Sequence, residues 1–289
     1  MPETSSNKLT DNTEERRGIE AAKRRARIYA GRITAMATKG GMKQNCLFLH
    51  LPKCGGTSLS EALYASVPMH KHIGVIDAVS SRRAASLIEH DKDCLHQTHE
   101  DMKGAAATFD LREKMMIAYM CADKRLIHGH VLWSDKAWKY FRDEYKVVTV
   151  MRDPVKRAIS NFRMNVANEQ IENDIDAWLD DVQGLNHASV NLRYLSGEAN
   201  ITKKNKAACL KRAHKNLDKI ALIGFLSEMD VFLDRFKEQF GARPKVHRYN
   251  SAKGEELNFT KSQMQRLEEL CAPDIELYEA AYKKFGAKS

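Results

Sequence analysis

One segment, Leu47-Phe48-Leu49-His50-Leu51-Pro52-Lys53-Cys54-Gly55-Gly56-Thr57-Ser58, limits what this chain can fold into more than any other. Its apolar run, stopped by Pro52, suits a buried parallel strand. Gly55 and Gly56 permit a sharp turn and a close approach to a ligand. Ser58-Leu59-Ser60-Glu61-Ala62-Leu63 then opens a helix that Thr57 and Ser58 can cap. Strand, turn and helix N-terminus in that order form a cradle of backbone amides for an anion. Lys53 adds a mobile positive charge above it. Because this lysine precedes the glycines, the spacing differs from the Gly-x-x-x-x-Gly-Lys-Ser/Thr loop that grips nucleoside triphosphates.

A second segment has the same layout. Val148-Thr149-Val150-Met151 reads as a strand, Arg152-Asp153 as a charged turn, and Pro154 as the first residue of a helix, where its missing N–H is harmless. Arg152 falls at the carboxyl end of its strand, where open α/β sheets bind ligands. Ser160 follows a little over two helical turns later. The two can converge on one phosphate, the arginine through its forked donors.

Around these segments the chain alternates strands and helices. Strands are expected at 125–131, 145–151 and 220–225, beside the first at 47–51. Helices are expected after Ser134, from Val155 to about 168, and over roughly 173–182, 186–196 and 203–217. Another, capped by Ser227, carries Met229, Phe232, Leu233, Phe236 and Phe240 on one face. Residues 260–286 read as two helices separated by Pro273. The pattern predicts an α/β fold, a P-loop-like parallel sheet flanked by helices, in a single domain over residues 43–289. Residues 1–42 are expected to form a polar, basic leader, disordered over 1–13 and then a loosely docked, weakly amphipathic helix over 14–38 that suits either solvent or a peripheral membrane surface. Residues 68–124 show no regular period. They hold His70, His72, His90, Cys94, His96 and His99, whose spacing matches no closed zinc pattern.

A net charge of +9 over 289 residues favours anionic partners. No basic stripe is interleaved with aromatics as in single-strand binders, so nucleic acid is the weaker expectation. Six cysteines without a Cys-x-x-Cys pair fit free thiols in a reducing compartment. With no long apolar run and no signal-peptide core at the N-terminus, a cytoplasmic, soluble protein is expected.

The two segments together resemble the nucleotide-binding signatures of the sulfotransferases that use 3′-phosphoadenosine-5′-phosphosulfate (PAPS). Arg125-Leu126-Ile127-His128-Gly129-His130-Val131 narrows the likeness to the heparan-sulfate and uronyl 2-O-sulfotransferase branch. Asn191–Gly197 and Ile223–Glu228 are also similar to family segments, so the resemblance spans roughly residues 45–285. It implies that Lys53, Cys54, Gly55, Gly56, Thr57 and Ser58 hold the 5′-phosphosulfate, and that Arg152 and Ser160 hold the 3′-phosphate. His130 becomes the general base, with His128 orienting it or touching the acceptor; strand alternation puts both on one face. Lys53 stabilises the leaving oxygen, so no metal is required. Arg248 and Lys253, in a late basic loop, are expected to close over the nucleotide. Cys54 stands where a threonine is common in the family. The product nucleotide is PAP, and the acceptor is a hydroxyl, on a carbohydrate or glycolipid. A nucleotide or small-molecule kinase on the same architecture is the alternative, with Asp153 the one candidate to hold its metal.

Overall fold

The computed structural model describes residues 6–91, 93, 102–247 and 258–287. Five parallel strands form one sheet in the order β2-β3-β1-β4-β5: β1 (Asn45–Leu49), β2 (Ile73–Ile76), β3 (Leu126–Gly129), β4 (Tyr145–Met151) and β5 (Leu222–Phe225). The expected P-loop-like α/β architecture is present. Phe48 pairs with His128 on one side and with Val148 on the other, so β1 lies at the centre.

Helices cover both faces. α1 (Ser6–Ala37) lies on α2 (Gly56–Ala65), and α3 (Ala78–His90) packs against α4 (Met102–Cys121). Next come α5 (Asp135–Phe141), α6 (Pro154–Ala167), α7 (Ile175–Asp180), α8 (Val182–Ala188), α9 (Val190–Ser196) and α10 (Lys206–Leu217). α11 (Met229–Phe240) and α12 (Lys261–Phe285) complete the chain. Cys46, Phe48, Leu126, Val148 and Leu222 of the sheet meet Leu59 and Leu63 of α2 and the aromatic stripe of α11. The alternate residues Leu47, Leu49, Ile127, Val147 and Ile223 meet α4, α5, α9, α10 and α12. This two-sided burial is why the strands read as continuous apolar runs.

Three expectations are corrected. The stretch 68–124, read as irregular, holds β2, α3 and α4. β2 is a four-residue edge strand containing Gly74, too short to show a period; α3 is announced only by its cap, Asp77 accepting from the N–H groups of Val79 and Ser80. The two closing helices are one, running through Pro273. Proline usually breaks a helix, but Pro273 is buried and the next residue, Asp274, is clamped by α9, so tertiary packing overrides the local preference. Ser227 does not cap α11; it sits in a 3₁₀ turn over Leu226–Glu228 that precedes it.

The leader helix, expected to dock loosely, is instead closely seated along its second half, because Gly31 lets its backbone approach α2 and Arg32 ties it to the chain that follows α2. A Cβ at Gly31 would come within 2.6 Å of Ala65 Cβ. Arg32 donates to the carbonyls of Val67, Met69 and Lys71 at 3.2, 3.4 and 2.6 Å.

Candidate active site

All five strands point the same way, so their outgoing loops gather at one edge. From β1 the chain leaves towards β2, and from β4 it leaves towards β5, which opens a crevice between the ends of β1 and β4. Lys53 follows β1 and Arg152 follows β4, on the two lips of that crevice.

The first loop is built by backbone conformation. Lys53 has φ 63° and Gly55 φ 75°, both left-handed. A non-glycine residue held there stores of order 1–3 kcal/mol, a cost often met at ligand sites. Gly55 is the N-cap of α2 and supplies no side-chain hydrogen bond. Thr57 and Ser58, expected as caps, instead lie inside the first turn, because the left-handed glycine admits the chain to the helix earlier. The helix therefore starts without a side-chain cap at the crevice, where its dipole favours an anion. Cys54 points away from it. Its thiol is buried in the core, 3.6 Å from the Pro52 carbonyl, and accepts from the Arg152 backbone N–H. Burial pushes that thiol up to about 11. Only the backbone of Cys54 is left for a ligand.

Two cations meet at the loop. Arg152 Nη1 donates to the Lys53 carbonyl at 3.2 Å, and both side chains are half-buried. Burial, then the nearby guanidinium, hold the Lys53 ammonium below the usual lysine range. Lys53 Nζ reaches Met164 Sδ at 3.3 Å. Ser160, one turn before Met164, shares that face of α6. Lys53, Arg152 and Ser160 are thus brought to one place. Ser58 faces away, into a cavity of about 420 Å³ walled by α1, α2 and residues 242–247.

The histidines form an ordered column. Tyr64 Oη lies 2.6 Å from His128 Nδ1, and His128 Nε2 lies 3.1 Å from His50 Nδ1. The His50 carbonyl accepts from His130 Nδ1 at 2.7 Å. The His50 and His130 rings stack with centroids 4.3 Å apart. A carbonyl oxygen can only accept, so His130 carries a proton on Nδ1. Both nitrogens of His128 are taken by Tyr64 and His50, so this residue orients His50. Burial lowers the His128 imidazole to about 4; burial, then His130 and His128, hold His50 well below the ordinary range. Both are neutral at pH 7. His50 escaped the sequence reading, although it lies two residues beyond Phe48, on the same face of β1.

A buried ion pair braces the second loop. Arg157 of α6 lies 3.7 Å from Asp274 of α12, both fully buried. The Asp274 carboxylate accepts from the N–H groups of Asn191 and Leu192 at 2.7 and 2.9 Å. Arg157 also donates to the His187 carbonyl. Arg248 and Lys253 lie outside the described residues, as do Cys94, His96 and His99. Among the described residues no group of three or more His, Cys, Asp and Glu side chains is arranged to hold a metal ion.

No curated protein matches the chain. The family model described as the sulfotransferase domain matches residues 44–198, more than half of the sequence, from the strand before the first loop through the helix that grips Asp274. With a left-handed loop at a helix start and a strand-end arginine on the parallel sheet within that stretch, the chain belongs to the sulfotransferase family.

Proposed function

We propose that the chain moves the sulfuryl group of PAPS to a hydroxyl of a carbohydrate or glycoconjugate, in the manner of the 2-O-sulfotransferase branch, with His130 as the base. The observation that carries this reading is the 2.7 Å contact from His130 Nδ1 to the His50 carbonyl, which fixes a proton on Nδ1, the tautomer that a base acting through Nε2 requires. PAPS fits the residues present: an uncapped helix start and two adjacent half-buried cations call for phosphate and sulfate oxygens. It supplies an activated sulfuryl group: the acceptor oxygen bonds to sulfur, the sulfur–oxygen bond to the 5′-phosphate breaks, and PAP departs with that electron pair.

Each residue then has a task. His130 Nε2 takes the hydroxyl proton. Lys53, with the amides from Cys54 to Ser58, balances charge growing on the bridging oxygen. Arg152 and Ser160 hold the 3′-phosphate, and Arg248 and Lys253 cover it. The catalytic domain is taken as 43–289 and the leader as 1–42. The leader helix exposes Ile19, Tyr29, Ile33 and Met36 among its basic residues, so we assign it peripheral contact with anionic membranes, checked by sedimentation with vesicles. Among the described residues no helix is long and apolar enough to cross a membrane, and we place the protein in the cytoplasm.

Calorimetric titration with PAP tests the nucleotide. Wild type should bind, with Arg152→Ala and Lys53→Ala each weakened about tenfold or more by loss of a charge-assisted contact. No binding by wild type ends the reading, and equal affinity for ATP returns the kinase. His130→Ala should keep PAP affinity while losing transfer of ³⁵S from PAPS to a glycan panel.

A further inference from the structure

We infer that His50 is a second imidazole of the reaction centre, donating its Nε2–H to an oxygen of the sulfuryl group in transfer, with Tyr64 and His128 fixing that tautomer. This rests on the sulfotransferase reading, but the relay stands on its own geometry.

The direction of the relay can be followed proton by proton. Burial raises the Tyr64 phenol, so its proton stays on at neutral pH, and the Ser60 side chain hydrogen-bonds the same oxygen. Within the proposal that proton is assigned to His128 Nδ1, 2.6 Å away. A neutral imidazole accepting at Nδ1 carries its own proton on Nε2. That proton goes to His50 Nδ1 at 3.1 Å. His50 is thereby held with its proton on Nε2.

The position of this nitrogen gives the donor its purpose. A Cβ built on Gly56 would lie 1.5 Å from His50 Nε2, so the imidazole occupies the space a side chain would need at the first residue of α2. That is the first turn of α2, where helix N–H groups favour an anion and where a side-chain cap is lacking. Gly56 is not in the left-handed region, so this contact, and no backbone requirement, demands a glycine there. A neutral donor at this point adds hydrogen bonding without adding a third cation beside Lys53 and Arg152. Meanwhile the carbonyl of the same residue sets the His130 tautomer. One residue thus aims the base through its backbone and the anion donor through its ring.

Long-range ¹H–¹⁵N correlation spectra of the full chain test both parts. His50 and His128 should appear as Nε2–H tautomers and His130 as Nδ1–H. Tyr64→Phe should release His128 and His50 into tautomer mixtures. Adding PAPS should shift the His50 Nε2 resonance, whereas PAP, which lacks the sulfuryl group, should leave it in place. In release of sulfate from ³⁵S-labelled PAPS, with water as acceptor, His50→Phe keeps a flat ring without a donor and should slow the reaction about 100-fold. His50→Gln retains an N–H near Nε2 and should stay within about tenfold of wild type. PAP affinity measured on each variant confirms that it is folded. An Nδ1–H tautomer at His50, or a resonance unmoved by PAPS, overturns the proposal. Failure of wild type to bind PAP defeats the sulfotransferase reading and the donor role with it, whereas PAP binding with an unimpaired His50→Phe defeats the donor role alone.

Discussion

Replacing Gly56 with alanine would place a methyl group 1.5 Å from His50 Nε2, well inside contact distance. The backbone of α2 cannot retreat, since Leu59 and Leu63 pin it to the sheet, so the imidazole must rotate. Rotation breaks the 3.1 Å bond from His128 and leaves a buried N–H without its partner, at about 1–3 kcal/mol. An imidazole pushed off its rotamer costs about 0.5–1.5 kcal/mol more. Alanine recovers about 0.5–1 kcal/mol as the better helix former. The net loss should be about 2 kcal/mol, read as a lower urea midpoint with an unchanged slope. The decisive comparison is the double variant. In a His50→Ala background the methyl has room, so the same Gly56→Ala change should become neutral or slightly stabilising, a coupling of about 2 kcal/mol. Equal losses in both backgrounds would show that the cost arises from the backbone and would refute the steric account of this glycine.

Two further outcomes are expected. The Asp274 carboxyl is pushed up to about 6, by burial before any other cause, so the folded chain holds a proton at pH values where the unfolded chain has released it. Wild type should therefore gain stability relative to Asp274→Asn as pH falls from about 6 towards about 4. At pH 7 the asparagine variant should be weaker by about 3–5 kcal/mol, because Arg157 loses its counter-charge; parallel pH curves would refute the titration. Under native conditions iodoacetamide should modify the exposed Cys121 quickly, while Cys46, Cys54, Cys209 and Cys271 wait for denaturant. Mass mapping in which Cys54 reacts as fast as Cys121 would show that the first loop is not packed as described.

Much of the sheet was readable because its strands are buried on both faces and punctuated by glycine, proline and capping residues. β4 was expected at 145–151 and is found at Tyr145–Met151; Ser134 caps α5 and Pro154 opens α6 as their positions suggest. Local signals failed where long-range contacts decide. Nothing near Pro273 announces that Asp274 will be gripped by residues some eighty positions earlier, and the helix persists for that reason. β2 is an edge strand whose pattern is broken by Gly74 and an exposed Val75. At the site, Lys53, Arg152 and Ser160 could be gathered from strand-end logic alone. The Cys54 side chain could not be placed, since a left-handed Lys53 turns it into the core. His50 was within reach: alternation along β1 and a glycine at 56 were both visible, but only the packed rings connect them.

The ion pair between Arg157 and Asp274 separates two units that are easily conflated. The stretch that identifies the family, residues 44–198, contains β1 to β4 and Arg157, but neither β5 nor α12. Cut at its boundary, it would bare the edge of β4 that pairs with β5 and would keep a cation in its interior with no anion beside it. Such a fragment carries both nucleotide-binding segments and the histidine stretch, yet it lacks the partners that cover its sheet edge and its buried cation. The unit by which this chain is recognised is smaller than the unit that folds, and excised pieces of it should be expected to aggregate.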